Sequence, residues 1–215
     1  MVDICPTIDA ENSEAFRKQI ERVASFAHRI HIDLGDGNFT PNRLVEIPEV
    51  WWPGGVRADL HVMYERPAEH VDELIALGPQ LIIVHAESEG EFGAFSEKVR
   101  RHGIEVGVAL LQDTPVDLIK PALGLVDHVL IFSGNLGYQG GSEADLGLIE
   151  KVKEIKAVRS TIEIGWDGGA NDQNVRQLVA GGIDVVNVGG FIQQAQNAGK
   201  AYESLMAAVK ATPQM

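Results

Sequence analysis

The feature that most constrains the fold is a regular series of short apolar segments. Eight such segments recur along the chain, starting about every two dozen residues with one longer interval before the seventh. They are Asp3–Ile8, Arg29–Leu34, Ala58–Met63, Leu81–His85, Glu105–Leu111, His128–Ser133, Thr161–Gly165 and Asp184–Val188. This spacing leaves room for one helix after each segment, a pattern typical of repeated βα units and a parallel sheet.

The segments between these strands carry helical patterns. Ser13–Ala27 places apolar residues at helical spacing, and Asn12 or Ser13 can cap its start. Pro67 and Pro115 stand where first-turn prolines belong. A doubly wound open sheet is the alternative, but it rarely holds eight units in so short a chain, and no GxGxxG follows the first strand. We therefore predict an α/β fold, a (β/α)8 TIM barrel, as a single domain over residues 1–215.

Composition excludes several classes of function. A formal net charge of −13 disfavours nucleic acid and anionic membrane partners, because both require a basic surface. Cys5 is the only cysteine, so an intramolecular disulfide and a thiolate metal cluster are both excluded. The sequence has neither a leader pattern nor an apolar stretch of membrane-spanning length. We expect a cytoplasmic protein that forms a homo-oligomer.

Polar residues gather where the predicted strands end, which is the face of a barrel that carries the active site. His31 and Asp33 lie two residues apart, so their side chains leave the second strand on the same side. Further polar or polarisable residues lie towards the ends of other strands, namely Asp59, His61, Met63, His85, Ser133 and Asp167. Imidazoles and carboxylates from several strands suit a divalent ion such as Zn²⁺, Fe²⁺, Mn²⁺ or Co²⁺. For His31 and Asp33 alone, a buried hydrogen bond without an ion is an equal alternative.

Glycines cluster after the last three strands, at Gly134–Gly141, Gly168–Gly169 and Gly189–Gly190. Glycine lets backbone N–H groups approach an anion, and the last loops of a barrel are a common phosphate site. Turn formation is the simpler explanation for any one of these loops, but three side by side favour a phosphorylated ligand. None of them contains Lys or Arg, so a phosphate would be held by amide dipoles.

Five segments resemble one known family in order and spacing. His31–Asn42 is similar to the H-x-D-x-M-D-G-x-F-x-P-N signature of the ribulose-phosphate 3-epimerase family, and Asp59–Met63 resembles its D-x-H-L-M. Val84–Glu87, Gly107–Leu110 and Glu163–Gly169 match its V-H-x-E, G-V-A-L and E-x-x-x-D-G-G elements.

The resemblance implies one divalent metal ion held by His31, Asp33, His61 and Asp167. It also implies that Asp33 and Asp167 act as acid and base, exchanging the proton at carbon 3 of a phosphorylated ketose through an enediolate. Ribulose 5-phosphate and xylulose 5-phosphate of the pentose phosphate pathway are the default pair. The predicted substrate-binding residues are His61, Met63, Gly137, Tyr138, Gln139, Gly140, Gly168, Gly169, Gly189 and Gly190.

The chain departs from the family pattern at Ala10, Gly35 and Phe132 and within the loop 134–141. These departures leave two alternatives open: an epimerase of another ketose phosphate, such as a hexulose 6-phosphate, and a sugar-phosphate-binding barrel without turnover. A decarboxylase ranks last, because such sites usually add a lysine at a strand end and no predicted strand ends in one.

Overall fold

The structure is a computed structural model that describes residues 2–138 and 141–211. Parallel strands pair in chain order, and β8 pairs with β1 to close the sheet into an eight-stranded barrel. The strands are β1 Asp3–Ile8, β2 Arg29–Gly35, β3 Arg57–Met63, β4 Leu81–His85, β5 Glu105–Leu110, β6 His128–Phe132, β7 Glu163–Asp167 and β8 Val185–Val188. The predicted fold class, a (β/α)8 barrel, is confirmed.

The helices on the outside of the barrel are less regular than the strands. The described α-helices are α1 Ser13–Val23, α2 Val71–Ala76, α3 Phe92–Arg100, α4 Glu150–Val158, α5 Val175–Ala180, α6 Gly190–Gln193 and α7 Ala198–Lys210. Short 3₁₀ helices cover Ile47–Glu49, Pro67–His70, Val116–Leu118, Lys120–Ala122 and Leu146–Ile149. In the part of the chain that is described, β2 and β5 are followed by 3₁₀ turns and not by α-helices. Among the same residues, no helix has the length and apolar character needed to cross a membrane.

Two predicted elements differ from the structure by more than one residue at a boundary. The seventh strand begins at Glu163, later than predicted, because the Ile162 amide donates to the Arg159 carbonyl and closes a turn first. This shift places Asp167 inside the strand. The first helix ends at Val23 because the following residues tighten into a turn, in which the Phe26 amide donates to the Val23 carbonyl.

Two apolar layers hold the barrel together. The larger layer lies between the sheet and the helices and includes Trp166, which has no exposed surface and donates from Nε1 to the Gly168 carbonyl at 2.8 Å. A small separate cluster is formed by inward-facing residues of β4, β5 and β6, namely Leu81, Ile83, Ala109 and Leu130. Both layers are mainly aliphatic, as the composition indicates.

An ionic cluster lies inside the barrel near the amino-terminal ends of the strands. Nε of Arg29 donates to Asp59 Oδ2 at 2.7 Å, and its two terminal nitrogens donate to the Glu163 carboxylate at 3.1 and 3.0 Å. His128 contacts the same carboxylate through Nδ1 at 2.7 Å. The prediction that grouped Asp59 with His61 and Met63 at the strand end is therefore wrong. Asp59 faces inward like them, but its partners stand at the first residues of β2 and β7.

We expect Arg29→Met to lower the free energy of unfolding by about 3–5 kcal/mol, because it leaves the buried Asp59 carboxylate without its cation. Adding Asp59→Leu should recover much of that loss, since the remaining carboxylate, Glu163, is partly exposed and keeps His128 as a partner. Denaturant unfolding measures both effects. The matched control is Arg57→Met, which removes an exposed arginine that also reaches Asp3 and should cost about 1 kcal/mol or less. Equal losses for Arg29→Met and Arg57→Met would contradict this account.

Candidate metal centre

Four residues predicted as metal ligands meet at the carboxyl ends of three strands. His31 and Asp33 come from β2, His61 from β3 and Asp167 from β7. Each offers one ligand atom, and these atoms all lie within 4.8 Å of one another. β2 and β7 are distant in sequence, and only closure of the barrel through β8 and β1 brings them to the same site.

The distances within this group are short. Asp33 Oδ1 lies 2.8 Å from His61 Nδ1 and 3.3 Å from His31 Nε2. Asp167 Oδ2 lies 3.7 Å from His31 Nε2 and 3.8 Å from His61 Nδ1. Two imidazoles and two carboxylates therefore surround one point.

The environment of these donors fits a divalent cation. Both histidines have no exposed surface, and the two aspartates are buried. Asp33 Oδ1 lies 3.3 Å from His31 Nε2 but does not have the geometry of a hydrogen bond to it. Among the described residues, neither ring nitrogen of His31 therefore has a hydrogen-bond partner, which is costly for a buried polar group. A mixed nitrogen and oxygen donor set suits Zn²⁺, Fe²⁺, Mn²⁺ or Co²⁺.

The two aspartates have opposite pKa shifts. Burial, together with the negative charge of Asp33, raises the pKa of Asp167 to about 7. Burial acts in the same direction on Asp33, but the neighbouring imidazoles of His31 and His61 outweigh it and hold its pKa well below the ordinary range. In the metal-free protein near neutral pH, Asp33 is therefore ionised while Asp167 keeps its proton for part of the time.

His85 lies behind this group and is not one of its four members. Its Nε2 lies 2.9 Å from Nε2 of His61, on the side of the His61 ring away from Asp33. Its Nδ1 lies 3.3 Å from Oε2 of Glu87. From the sequence, His85 was grouped with the donors at the barrel mouth because it stands at the end of β4. In the structure it contacts the donor His61 and is not itself one of the four donors.

A cavity of about 520 Å³ opens directly above the four donors. Asp33 and Asp167 line it, whereas His31 and His61 are fully buried. The predicted substrate-binding residues that line it are Met63, Gly137, Tyr138, Gly168, Gly169, Gly189 and Gly190. Gln139 and Gly140, also predicted there, lie outside the described residues. The binding roles of all these residues stay predictions.

Two of the predicted glycines have a clear packing reason. A Cβ at Gly168 would lie 2.1 Å from the Gly134 nitrogen, and one at Gly169 would lie 2.2 Å from the Ala144 nitrogen. Both also have positive φ, at 110° and 69°. The loops after β6 and β7 therefore contact each other backbone to backbone at the edge of the cavity.

Sequence reasoning missed Asp9, which follows β1 and lines the same cavity. Its backbone is held at both ends by Gln19, whose side chain accepts from the Asp9 amide and donates to its carbonyl. Burial, together with the negative charges of Asp33 and Asp167, raises the pKa of Asp9 to about 8. The signal was present in the sequence, since a carboxylate directly after a barrel strand is what singled out Asp167. Thr7 and Asn187 also line this wall, each with a buried side-chain oxygen that lacks a partner among the described residues.

The fold and this site define a (β/α)8-barrel protein with a buried imidazole and carboxylate centre at the carboxyl ends of its strands. A family model described as the ribulose-phosphate 3 epimerase family matches residues 3–193. The chain belongs to this family, and the resemblance stated from the sequence is confirmed. The predicted enzyme class, an epimerase of carbohydrates, is confirmed with it.

Individual relatives cover almost the whole chain. Ribulose-phosphate 3-epimerase of Helicobacter pylori strain J99 is 33% identical over 208 residues, which is 94% of this chain and 95% of the relative. The enzyme of that name from Bacillus subtilis strain 168 is 27% identical over 214 residues, or 95% and 98% of the two chains. Among solved structures, 3-hexulose-6-phosphate synthase from Salmonella typhimurium superposes with a TM-score of 0.72 at 16% identity, covering 97% of this chain and 99% of that one. That likeness shows the fold alone.

We expect Asp9→Asn to stabilise the metal-free protein, and to do so more at pH 8 than at pH 5. The pKa of Asp9 is raised from 3.8 to about 8 by burial and by Asp33, Asp167 and Glu11, so the unfolded chain loses this proton at lower pH than the folded one. The native state therefore loses stability as the pH rises between these two values, and asparagine removes that loss. Thermal unfolding in the presence of a chelator measures it.

The exposed Asp117, replaced by Asn, serves as the control for this pH series. An equal gain from Asp9→Asn at both pH values would show that the Asp9 carboxyl does not experience the charges of its neighbours.

Proposed function

We propose that this chain is a metal-dependent epimerase that inverts carbon 3 of a phosphorylated ketose, with ribulose 5-phosphate and xylulose 5-phosphate as the default pair. The observation that carries the proposal is the convergence of Asp33 and Asp167, from β2 and β7, on two buried imidazoles beneath one cavity. Membership of the family supports the same reaction.

The chemistry requires a base and an acid on opposite sides of one carbon. A proton next to a ketone is removed as an enediolate forms, and inversion follows when a proton returns from the other face. We assign one of these roles to Asp33 and the other to Asp167, because the two side chains reach the cavity from different strands, β2 and β7. For the other epimer the two roles are reversed.

His31, Asp33, His61 and Asp167 are the residues that would hold the cation. When bound, the ion withdraws negative charge from the ketone and hydroxyl oxygens beside the reacting carbon, which lowers the barrier to proton removal. Its charge also offsets the repulsion between the two carboxylates. The buried nitrogens of His31, which lack partners in the described part of the chain, support this assignment.

The phosphate end of the ligand is proposed to lie beneath the loops after β6, β7 and β8. Gly134, Gly168, Gly169, Gly189 and Gly190 line that side of the cavity, and their small size leaves backbone amides accessible. The acidic groups Asp9, Asp33 and Asp167 line the cavity as well. A dianionic group is repelled by them, which favours a ligand whose hydroxyl-bearing part lies against the carboxylates.

We expect Asp33→Asn and Asp167→Asn each to lower epimerisation by about a hundredfold to ten-thousandfold or more, because each removes one of the two proton-transferring groups. The measurement follows solvent deuterium incorporation at carbon 3 by NMR, with metal content determined on the same samples. Each variant should at most retain exchange for the epimer that its remaining aspartate faces. Asp72→Asn, at an exposed position on α2, is the control and should keep wild-type rates.

The ketose set should include both pentulose 5-phosphates and a hexulose 6-phosphate. If wild-type protein with bound metal binds these compounds yet never exchanges a carbon-bound proton, the chain is a binding barrel and the catalytic proposal is wrong. Wild-type epimerisation by either aspartate variant would overturn the two-base assignment.

A further inference from the structure

A line of buried polar groups runs from the candidate metal centre to the loop after β5. His61 Nδ1 faces Asp33 Oδ1 at 2.8 Å, and its other nitrogen faces Nε2 of His85 at 2.9 Å. His85 Nδ1 then faces Oε2 of Glu87 at 3.3 Å. The two rings have no exposed side-chain surface, so water does not readily take the place of a missing partner.

The far end of this line is fixed in position. Glu87 Oε1 accepts from the Leu111 amide at 3.0 Å. Lys151 holds the same loop by donating to the carbonyls of Leu111, Gln112 and Thr114, at 2.8 Å each. Glu87 is therefore an anchored acceptor, and an ionised carboxylate cannot donate.

The number of available protons determines how many of the hydrogen bonds along this line can form at the same time. It has three links, Asp33 to His61, His61 to His85 and His85 to Glu87, and each needs one proton between its two atoms. Two neutral imidazoles supply only two protons. With a carboxylate at both ends, one link must fail unless one ring takes up a further proton, which its burial disfavours, or a cation replaces the proton between Asp33 and His61.

A divalent ion bound by Asp33 and His61 Nδ1 resolves this mismatch. His61 then carries its proton on Nε2 and donates it to His85 Nε2, and His85 carries its proton on Nδ1 and donates it to Glu87. Every group has a partner, and both rings remain neutral. His31 has no comparable support, because its Nδ1 lacks a partner within the described chain.

We propose that His85 and Glu87 form a positioning relay that fixes His61 in the tautomer that coordinates a divalent cation through Nδ1, and so raise the metal affinity of the centre. The proposal rests on the proposed function only for the existence of the metal centre and not for the reaction. Such outer partners of a ligating histidine commonly set ring orientation and ligand basicity.

The decisive variant is Glu87→Gln, which keeps the shape of the side chain but can reverse the relay. If the amide oxygen keeps the Leu111 N–H, the amide NH₂ faces His85 and requires a lone pair on its Nδ1. The His85 proton then moves to Nε2, so His61 must carry its own proton on Nδ1, where the metal would bind. We expect the affinity for Zn²⁺ or Mn²⁺, titrated against a competing chelator, to fall by about 10- to 100-fold.

The matched control is Glu89→Gln, two residues further along the same loop, where the exposed carboxylate pairs with Arg66. It should bind metal like the wild type. Unchanged affinity in Glu87→Gln would overturn the relay, provided that circular dichroism shows a folded protein. A wild-type protein that binds neither metal would instead overturn the metal centre itself, which separates the two failures.

A measurement on the wild type covers the case in which Glu87→Gln does not fold. Nitrogen-15 NMR of the zinc-loaded protein, labelled at histidine, should show His61 protonated at Nε2 and His85 protonated at Nδ1. A loaded protein in which His61 carries its proton on Nδ1 would overturn the relay.

Discussion

The site depends on one constraint, the pairing of β8 with β1 that closes the sheet. Asp3 to Pro6 of β1 pair with Val185 to Val188 of β8, while Thr7 and Ile8 pair with β2. An open sheet would leave these edge groups unpaired and would hold Asp167 far from His31. Closure satisfies the backbone and brings acidic and imidazole groups from the two ends of the chain to one point.

Closure also concentrates negative charge. Asp9, Asp33 and Asp167 line one cavity in a chain whose net charge is already −13. Raised pKa values for Asp9 and Asp167 are the electrostatic result, since protonation is the simplest way to relieve like charges in a buried site. At the other end of the barrel the guanidinium of Arg29 neutralises Asp59 and Glu163 directly. Among its described lining residues, the cavity at the metal centre has no arginine or lysine. Its carboxylates therefore lack a fixed cation and suit a metal ion, whereas Arg29 already neutralises the carboxylates at the other end of the barrel.

The sequence was most informative about the strands and about side-chain direction. Apolar periodicity located all eight strands to within about two residues, and the i, i+2 spacing put His31 and Asp33 on one face. The sequence could not tell the height of an inward-facing residue, that is, its position along the barrel axis. For this reason Asp59 was assigned to the wrong end of the barrel. Height depends on the stagger between strands, and a single sequence does not contain that stagger.

Other features were invisible for related reasons. The 3₁₀ turns after β2 and β5 contain Pro48 and Pro121, and a proline does not fit inside an α-helix beyond its first turn. The strand spacing alone therefore predicted a helix in units where the sequence does not favour one. The contact between His61 and His85 joins neighbouring strands, and only their register makes it evident. Asp167 was supported by a family motif as well as by its position after a predicted strand, whereas Asp9 belonged to no quoted motif and was passed over.

The close backbone contact at Gly168 and Gly169 limits how the ligand specificity of this barrel can change. Because neither position has room for a methyl group against Gly134 and Ala144, the loops after β6 and β7 are packed against each other and form one side of the cavity entrance. A change of ligand cannot readily come from lengthening or bending either loop alone. It is expected instead from exchanging the few side chains that project over the opening, such as the exposed ring of Tyr138.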